Sequence, residues 1–318
     1  MSQVTLVGDV GGTNCRFALA KATEQGTIEL SHSATFAVKE FGSFDQATKA
    51  YIDHEKVEPK YAAFAFAGPK FNDTISMTNT DWVVSESGLR KEFGFEEAVI
   101  LNDFVAMACG ATVVPDDGFE TIIPGKVNYN KPVTVMGPGT GMGVSCILSA
   151  VPPYVVPTEG GHVAFAPQDD LEQAVLAHQS KLRDYVTIES LISGPGMVNL
   201  YEAICAIKGR AADFKNAQEI VAAAEANPKS LARLTVTTFC NILGGFAGNA
   251  ALIQGAAGGV VLAGGVSRHI APFIADSEFK ARFRNKGTGS FFVKDIPVRL
   301  IKAHFVALYG AAAMVLNS

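Results

Sequence analysis

The sequence lacks the cysteine spacing of disulfide frameworks and zinc sites. Its five cysteines stand at positions 15, 109, 146, 205 and 240, and no two of them form a Cys-x-x-Cys pair. We therefore expect neither a disulfide framework nor a cysteine zinc site, and a reducing cytoplasm suits this composition. The chain also opens without a charged segment followed by an apolar one, so we expect no secretory signal peptide.

Positive charge is scarce as well. The 26 Lys and Arg residues are outnumbered by 31 Asp and Glu, which gives a net charge of −5. A nucleic-acid-binding domain usually carries a basic surface or stripe. The densest basic run, residues 280–294, interleaves Lys and Arg with Phe, and we interpret it as an exposed loop edge. The sequence therefore predicts no nucleic-acid partner.

Charge of either sign is missing between Arg233 and Arg268, a stretch long enough for a membrane span. The stretch contains Asn and Gln side chains, and its glycines at 244, 245, 248, 255, 258 and 259 divide it into pieces. It is better explained by a buried helix at about 230–254, followed by a turn and a strand at 259–263. We therefore expect no membrane contact.

Two stretches of the sequence share one pattern. VTLVGDVGGTNCRFALA (4–20) and VTVMGPGTGMGVSCILSA (133–150) each have a β-rich strand, a glycine-rich turn and a second apolar strand. This pattern predicts two β-hairpins, and its repetition indicates two related α/β lobes.

The rest of the chain supports this layered organisation. Predicted strands at 61–68, 98–102 and 259–265 alternate with helical patterns at about 43–56, 103–110, 171–183, 195–207, 217–226 and 230–254. The Pro/Asp/Gly-rich break at 111–120 predicts the lobe boundary. We expect a small domain at 1–112 and a large domain at 113–302. A C-terminal helix at about 303–318 would return to complete the small domain.

The glycine-rich turns suit phosphate binding. Glycines let backbone N–H groups approach a phosphate closely, and successive N–H groups form a nest for anions. In the first hairpin the candidates are Gly8, Asp9, Gly11, Gly12 and Thr13, with Asp9 holding Mg²⁺, usually through water. In the second they are Gly139 and Thr140. Neither turn is a Walker A motif, and a tight hairpin with Asp9 as a turn former stays an alternative.

Gly264 and Gly265 follow a predicted strand. They would allow the close approach of a flat base or a ribose. An ordinary strand-to-helix turn is the alternative interpretation.

Polar side chains are concentrated at three further places. Asn102-Asp103 ends a strand, where ligands bind in open α/β sheets. A carboxylate there could accept a proton from an attacking alcohol, although Asp103 could instead be a helix N-cap. Glu159 and His162 flank two glycines and could bind vicinal hydroxyls, or could be incidental loop residues. Glu189 precedes Ser193-Gly194, and a solvated surface Glu is its simplest interpretation.

Seven motifs in chain order resemble bacterial glucokinase of the ATP-dependent, hexokinase-like type, within the actin and sugar-kinase superfamily. They are GDVGGTNCRFALA (8–20), MTNTDW (77–82), LNDF (101–104), GPGTGMGV (137–144), TEGGHVAFAP (158–167), SGPGMVNLYEAI (193–204) and LAGGVS (262–267). The resemblance implies an α/β, two-lobed actin-like and ribonuclease H-like fold with a cleft between the lobes. It implies ATP-dependent phosphorylation of glucose to glucose 6-phosphate, the first step of glycolysis, in a cytoplasmic and commonly homodimeric enzyme.

The resemblance also implies roles for individual residues. Asp103 is the catalytic base. The sugar hydroxyls are bound by Asn79, Asn102, Asp103, Glu159, His162 and Glu189. The ATP phosphates are cradled by the turns at 8–13 and 139–140, with Asp9 near Mg²⁺ and with Gly264 and Gly265 beside the adenosine.

Two departures from related patterns stand out. The family often has Pro-Gly-Leu-x-Gly before its last helix, where this chain has AHFVALYGAA (303–312). The chain also lacks the Cys-rich zinc motif of the repressor-type sugar kinases.

Three other functions compete with glucose phosphorylation. A kinase for another hexose, such as mannose or an amino sugar, would use the same motifs. An actin-like ATPase without a sugar substrate would have no need of the polar residues at 102, 103, 159, 162 and 189. A sugar-sensing repressor is expected to carry a DNA-binding helix pair, for which we find no segment.

Overall fold

The computed structural model describes residues 4–24, 26–77 and 80–316. By its internal contacts the chain divides into two compact units. The first comprises Met1–Gly118, Ile147–Pro157 and Ala303–Ser318, and the second comprises Phe119–Cys146 and Thr158–Lys302.

The regular elements alternate between strands and helices along the chain. The strands are β1 (Val4–Val10), β2 (Asn14–Ala22), β3 (Ile28–Ala37), β4 (Tyr61–Phe66), β5 (Lys70–Phe71), β6 (Thr74–Ser76), β7 (Val83–Ser85), β8 (Glu97–Asn102), β9 (Phe119–Ile123), β10 (Val133–Pro138), β11 (Met142–Ala150), β12 (Pro153–Thr158), β13 (Gly259–Leu262) and β14 (Val298–Ile301). The helices are α1 (Phe44–Glu55), α2 (Glu86–Phe93), α3 (Asp103–Ala111), α4 (Asp170–Gln179), α5 (Gly194–Ile207), α6 (Ala217–Ala226), α7 (Leu231–Gln254), α8 (Gly265–Ile274), α9 (Phe279–Arg284), α10 (Ser290–Val293) and α11 (Val306–Leu316).

The first unit contains a five-stranded sheet in the order β3-β2-β1-β4-β8. β1 and β2 are antiparallel, whereas β4 runs parallel to both β1 and β8. A smaller sheet, β5-β6-β7, is antiparallel throughout. β8 ends at Asn102, and α3 begins at the next residue.

The two faces of the five-stranded sheet carry different side chains. Large aromatic residues on one face, among them Phe17 and Phe64, pack with Phe44 of α1. The other face is built of small residues and packs against α11 and α3. α3 and α11 approach so closely that a Cβ on Gly310 would lie 1.7 Å from the Ala106 carbonyl oxygen. This contact fixes the position of α3.

A six-stranded sheet, whose strands β9, β10, β13 and β14 belong to the second unit, has the order β12-β11-β10-β13-β14-β9. Its first five strands repeat the order of the first sheet: three consecutive strands, then two that join in parallel on the far side of the first. The predicted internal repeat is therefore present in the topology. β9 is an addition that pairs antiparallel with β14.

Helix α7 occupies the uncharged stretch of the sequence. Ser230 caps its start by accepting a hydrogen bond from the Arg233 N–H, and Gly255 ends it in a left-handed conformation. Among the described residues it is the one helix long and apolar enough to cross a membrane, and 72% of its most apolar window is buried inside the structure. That burial favours the predicted core helix.

Most predicted elements are found, with shifts at their ends. The helix predicted at 171–183 ends at Gln179, and the strand predicted at 259–265 ends at Leu262, because Gly265 already begins α8. The final helix begins at Val306. It follows Phe305, a bulky residue held at a φ of 59°.

Candidate functional site

The turn between β1 and β2 consists of Gly11, Gly12 and Thr13. It is closed by a 3.0 Å hydrogen bond from the Gly11 N–H to the Asn14 carbonyl. Gly8, within β1, is explained by packing, because a Cβ there would lie 2.7 Å from the Phe64 ring. At Gly11 the nearest atom to an added Cβ is 3.8 Å away. Packing therefore does not demand a glycine at position 11.

Asp9 lies opposite Arg16 in the β1–β2 ladder. Arg16 Nη1 lies 3.3 Å from Asp9 Oδ2, while burial raises the pKa of the Asp9 carboxyl and the guanidinium opposes that shift. The sequence analysis missed Arg16, although the antiparallel register across a three-residue turn could have located it.

Asp9 is the residue for which the sequence analysis predicts a contact with Mg²⁺. No group of three or more His, Cys, Asp or Glu side chains that could hold a metal ion occurs among residues 4–24, 26–77 and 80–316. One carboxylate is nevertheless compatible with Mg²⁺, which usually keeps several waters and binds through one or two carboxylates plus substrate phosphates.

Asp103 is the first residue of α3, but it does not cap the helix. The cap is Asn102, whose Oδ1 accepts hydrogen bonds from the Phe104 and Val105 N–H groups at 2.9 and 3.3 Å. The Asn102 Nδ2 donates to the Gly68 carbonyl at 3.0 Å. The N-cap interpretation of Asp103 is therefore wrong. Asn102 also has a structural role, because it links the end of β8 to the loop that follows β4.

The carboxyl group of Asp103 is poorly solvated. Burial raises its pKa to about 6, with a smaller contribution from the charge of Asp9 and an opposing one from the Phe104 N–H, which donates to Oδ1 at 2.8 Å. A group with this pKa is ionised near neutral pH and can still accept a proton. The structure thus places a carboxyl group with a raised pKa at the start of α3.

In the second unit, Glu159, His162 and Glu189 lie together. His162 Nε2 is 3.8 Å from Glu159 Oε2, and His162 Nδ1 is 4.0 Å from Glu189 Oε1. The two segments are joined by a 2.9 Å hydrogen bond from the Glu189 N–H to the Gly161 carbonyl. The residues at 159 and 162 are well exposed, with side-chain exposures of 84% and 58%. They are therefore available to a ligand.

Glu189 is more constrained than a solvated surface residue. Its side chain is 33% exposed, and its Oε2 accepts a 2.8 Å hydrogen bond from the Met142 N–H. The sequence analysis did not identify this backbone donor, because no side-chain pattern marks it.

The turn at 139–141 adjoins these residues. The Gly139 N–H donates to the Gly141 carbonyl at 2.8 Å, and the Gly194 N–H donates to the Gly139 carbonyl at 2.8 Å. Thr140 is exposed. An added Cβ on Gly139 would meet nothing within 4 Å, so packing does not explain the glycine.

The fold requires a glycine at position 264 but not at position 265. Gly264 has a φ of +85°, and an added Cβ would lie 2.5 Å from the Pro138 carbonyl oxygen, so the fold itself demands a glycine there. Gly265 has open space around its Cβ position and begins α8, whose N-terminus has no side-chain cap. Uncapped N–H groups at a helix start attract anions and polar ligand atoms. Asn79, the remaining predicted site residue, lies outside the described residues.

Comparison with known proteins identifies the class to which these features belong. The family model described as Glucokinase matches residues 6–318. The glucokinase of Hahella chejuensis is 36% identical over 99% of this chain and 98% of its own length, and that of Caulobacter vibrioides is 39% identical over 96% and 93%. A crystal structure of a glucokinase from an Antarctic psychrotroph superposes with a TM-score of 0.91 at 34% identity and covers 99% of both chains.

The fold is the two-lobed α/β actin-like fold of sugar kinases, as predicted. Within that class, the chain belongs to the glucokinase family. The prediction made from the seven motifs is confirmed for fold and family.

Proposed function

We propose that this protein transfers the γ-phosphoryl group of ATP to the 6-hydroxyl of glucose, which yields ADP and glucose 6-phosphate. The observation that carries the proposal is the poorly solvated Asp103 at the end of β8, with a pKa of about 6, in a chain of the glucokinase family. The 6-hydroxyl becomes acidic as it attacks phosphorus, so a carboxylate that accepts its proton lowers the barrier.

The reaction divides among the predicted residues. Asp103 accepts the proton while the bond from the sugar oxygen to the γ-phosphorus forms and the bond to the β,γ-bridging oxygen breaks. Asn102 holds the start of α3, and with it Asp103, in place through its three backbone contacts. Asn79, Asn102, Asp103, Glu159, His162 and Glu189 bind the sugar hydroxyls.

The nucleotide is bound by the two glycine-rich turns. Gly8, Asp9, Gly11, Gly12 and Thr13 from the first turn and Gly139 and Thr140 from the second surround the phosphates, and Gly264 and Gly265 lie beside the adenosine. The support is the unfilled space at Gly11, Gly139 and Gly265, where packing does not explain a glycine. Asp9 would hold Mg²⁺, in the main through water, and the ion would neutralise charge on the ATP phosphates.

We also propose that the chain is organised into two domains. A small domain of residues 1–112 is completed by the C-terminal helix, and residues 113–302 form the large domain. The division of internal contacts at Gly118 and Ala303 supports boundaries close to these. We propose that the protein is cytoplasmic and forms a homodimer.

The test is a coupled assay of ADP formation with glucose, mannose, fructose, galactose and N-acetylglucosamine. We expect glucose to exceed galactose and N-acetylglucosamine at least about tenfold in kcat/KM, because a sugar without a matching hydroxyl leaves a polar group of the site unpaired. A preference for mannose or an amino sugar would assign the protein to another hexose. ATP hydrolysis that no sugar stimulates would indicate a non-sugar ATPase.

A further inference from the structure

The outer edge of β8 is paired with side chains. β8 is an edge strand of its sheet and pairs with β4 on its inner side. At Ile100 an ion pair takes the place that a further strand would have. Glu86 Oε1 accepts a hydrogen bond from the Ile100 N–H at 2.9 Å, and Lys70 Nζ donates to the Ile100 carbonyl at 2.9 Å. Lys70 Nζ also lies 2.7 Å from Glu86 Oε1, so both backbone groups of one residue are paired with side chains of opposite charge.

The Lys70–Glu86 pair is partly buried. Its side chains are 31% and 20% exposed, compared with 71% and 51% for the Lys60–Glu96 pair, which lies just before β4 and β8 begin. Exposed ion pairs usually contribute little to stability. Ile100, by contrast, is fully buried, and its backbone groups need partners because an unpaired polar group away from water costs free energy. The Lys70–Glu86 pair therefore stabilises β8 itself.

The segment 68–70 contacts the segment 100–102 at a second point. The Asn102 Nδ2 donates to the Gly68 carbonyl at 3.0 Å. Gly68 is itself closely packed, because an added Cβ would lie 2.1 Å from the Ser76 carbonyl oxygen. The end of β8 is thus held at two points immediately before α3 begins.

We infer that Lys70 and Glu86 are positioning residues for Asp103. This inference rests on the proposed function, in which Asp103 accepts the proton of the sugar hydroxyl. Lys70 and Glu86 act through the backbone of Ile100, three residues before the proton acceptor. A displacement of about 1 Å at the reacting groups can cost about a hundredfold in rate. The pair should therefore affect turnover more than sugar binding, which is shared among several other residues.

The experiment compares steady-state kinetics and calorimetric glucose titration of two variants with those of the wild type. Lys70→Met keeps the apolar stem and removes the donor, and Glu86→Ala removes the acceptor while it keeps a good helix former at the start of α2. We expect each to lower kcat about tenfold or more and to raise the glucose Kd less than about threefold. Because both substitutions release the same strand residue, the double variant should be about as slow as the slower single variant.

Conservative variants and a matched control make the test specific. Lys70→Arg and Glu86→Gln keep a donor and an oxygen acceptor, and both should stay within about threefold of the wild-type kcat. Lys60→Met is the control, because it removes an ion pair of the same 2.7 Å length, with Glu96, just before the same strand begins. It should behave as wild type. A loss of kcat in the control as large as in Lys70→Met would overturn the inference.

The pH profile separates positioning from an effect of charge. Burial is the main cause of the raised pKa of Asp103, with a smaller contribution from the charge of Asp9. We therefore expect kcat/KM of Lys70→Met to fall through the same pH as in the wild type, about 6, with a lower kcat at every pH. A displaced profile with an unchanged maximal kcat would mean that Lys70 acts through its charge, which would overturn the inference.

Hydrogen exchange over residues 98–105 tests the same contacts without turnover. The Ile100 N–H loses its acceptor in Glu86→Ala and should exchange at least about tenfold faster than in the wild type. The Lys60→Met control should exchange as the wild type does. Glu86→Ala also provides the kinetic test if Lys70→Met does not fold.

The outcomes separate the inference from the proposed function. A wild-type protein that does not phosphorylate glucose would refute the proposed function, and hydrogen exchange would still test whether the ion pair holds the end of β8. In a wild-type protein that does phosphorylate glucose, an unchanged kcat in both Lys70→Met and Glu86→Ala would overturn the inference alone. Unchanged exchange over residues 98–105 in Glu86→Ala would also overturn it.

Discussion

Two neighbouring carboxylates of the first unit have different partners. Asp9 has Arg16 as a counter-ion at 3.3 Å, whereas Asp103 is contacted by backbone N–H groups and Asn102. Burial raises the pKa of both, and the charge of Asp9 adds to the shift at Asp103. Such environments commonly mark functional groups, because a catalytic base needs a pKa near the working pH.

Replacing Asp103 by Asn should nearly abolish turnover while glucose still binds. An amide cannot accept the proton, and the loss of a general base costs on the order of 10²–10⁴ in rate. In the wild type, kcat/KM should fall as pH decreases through about 6, where Asp103 becomes protonated. Steady-state kinetics across pH and glucose titration of the variant test both points. A variant with wild-type kcat would remove Asp103 from catalysis.

The same substitution should stabilise the folded protein. The raised pKa means that Asp103 contributes stability below its unfolded pKa and that this contribution is lost as pH rises through about 6. Asp103→Asn should therefore be more stable than wild type by about 1–2 kcal/mol at pH 7.5, an amount reduced from the full shift for partial exposure. Below pH 4 the difference should vanish. Denaturant unfolding at both pH values provides the measurement.

At the scale of the element, three helices end in a left-handed residue. α2 ends at Gly94 with a φ of 70°, α7 ends at Gly255 with a φ of 62°, and α1 ends at Lys56 with a φ of 54°. Glycine adopts this conformation without steric cost, whereas Lys does not. The left-handed conformation of the exposed Lys56 therefore costs more free energy than the same conformation would cost for a glycine.

Lys56→Gly should raise stability by about 0.5–1 kcal/mol, because it relieves this conformation. The matched control is Gly94→Ala, where an added Cβ meets nothing within 4 Å, so any loss of stability comes from the backbone alone. Thermal unfolding should show an increase in Tm for the first variant and a decrease for the second. A decrease in both would mean that the Lys56 side chain has a stabilising role that outweighs its conformation.

The elements that the sequence predicted are those with strong patterns. α7 lies in a stretch with almost no charge, α11 is almost continuously apolar, and the two hairpins contain glycine-rich turns, so their predicted bounds are close to the observed ones. β3 and β12 were missed because they lie at the edges of their sheets, where β3 (IELSHSATFA) and β12 (PYVVPT) are only partly buried and do not alternate cleanly.

Some features of the candidate site could likewise be predicted from the sequence, and others could not. Glu159, His162 and Glu189 were found as polar residues in glycine-rich turns, but their mutual distances depend on pairings between distant segments. The Met142 N–H could not be predicted, because any residue type supplies the same donor. The sequence left a cap at Asp103 open as an alternative and did not indicate Asn102, since Asn and Asp are equally good caps and only the backbone conformation distinguishes them.

At the scale of the whole molecule, the proposed sugar residues are contributed by both contact units. Asn102 and Asp103 belong to the first, and Glu159, His162 and Glu189 belong to the second. A ligand that binds the folded state stabilises it by about 2.7 kcal/mol at a concentration one hundred times its Kd. If the proposed sugar residues all bind glucose, that stabilisation must depend on each of them.

One variant in each unit tests this dependence. Asn102→Ser keeps a residue that can cap α3 but removes the amide, and Glu159→Gln removes the charge of a side chain that is 84% exposed. At a fixed glucose concentration, both variants should show a smaller glucose-induced increase in Tm than wild type. Glu202→Gln, which alters an exposed ion pair with Lys215, should leave that increase unchanged. If only the Glu159 variant responds, glucose binds residues of the second unit alone, and the role proposed for Asn102 is structural.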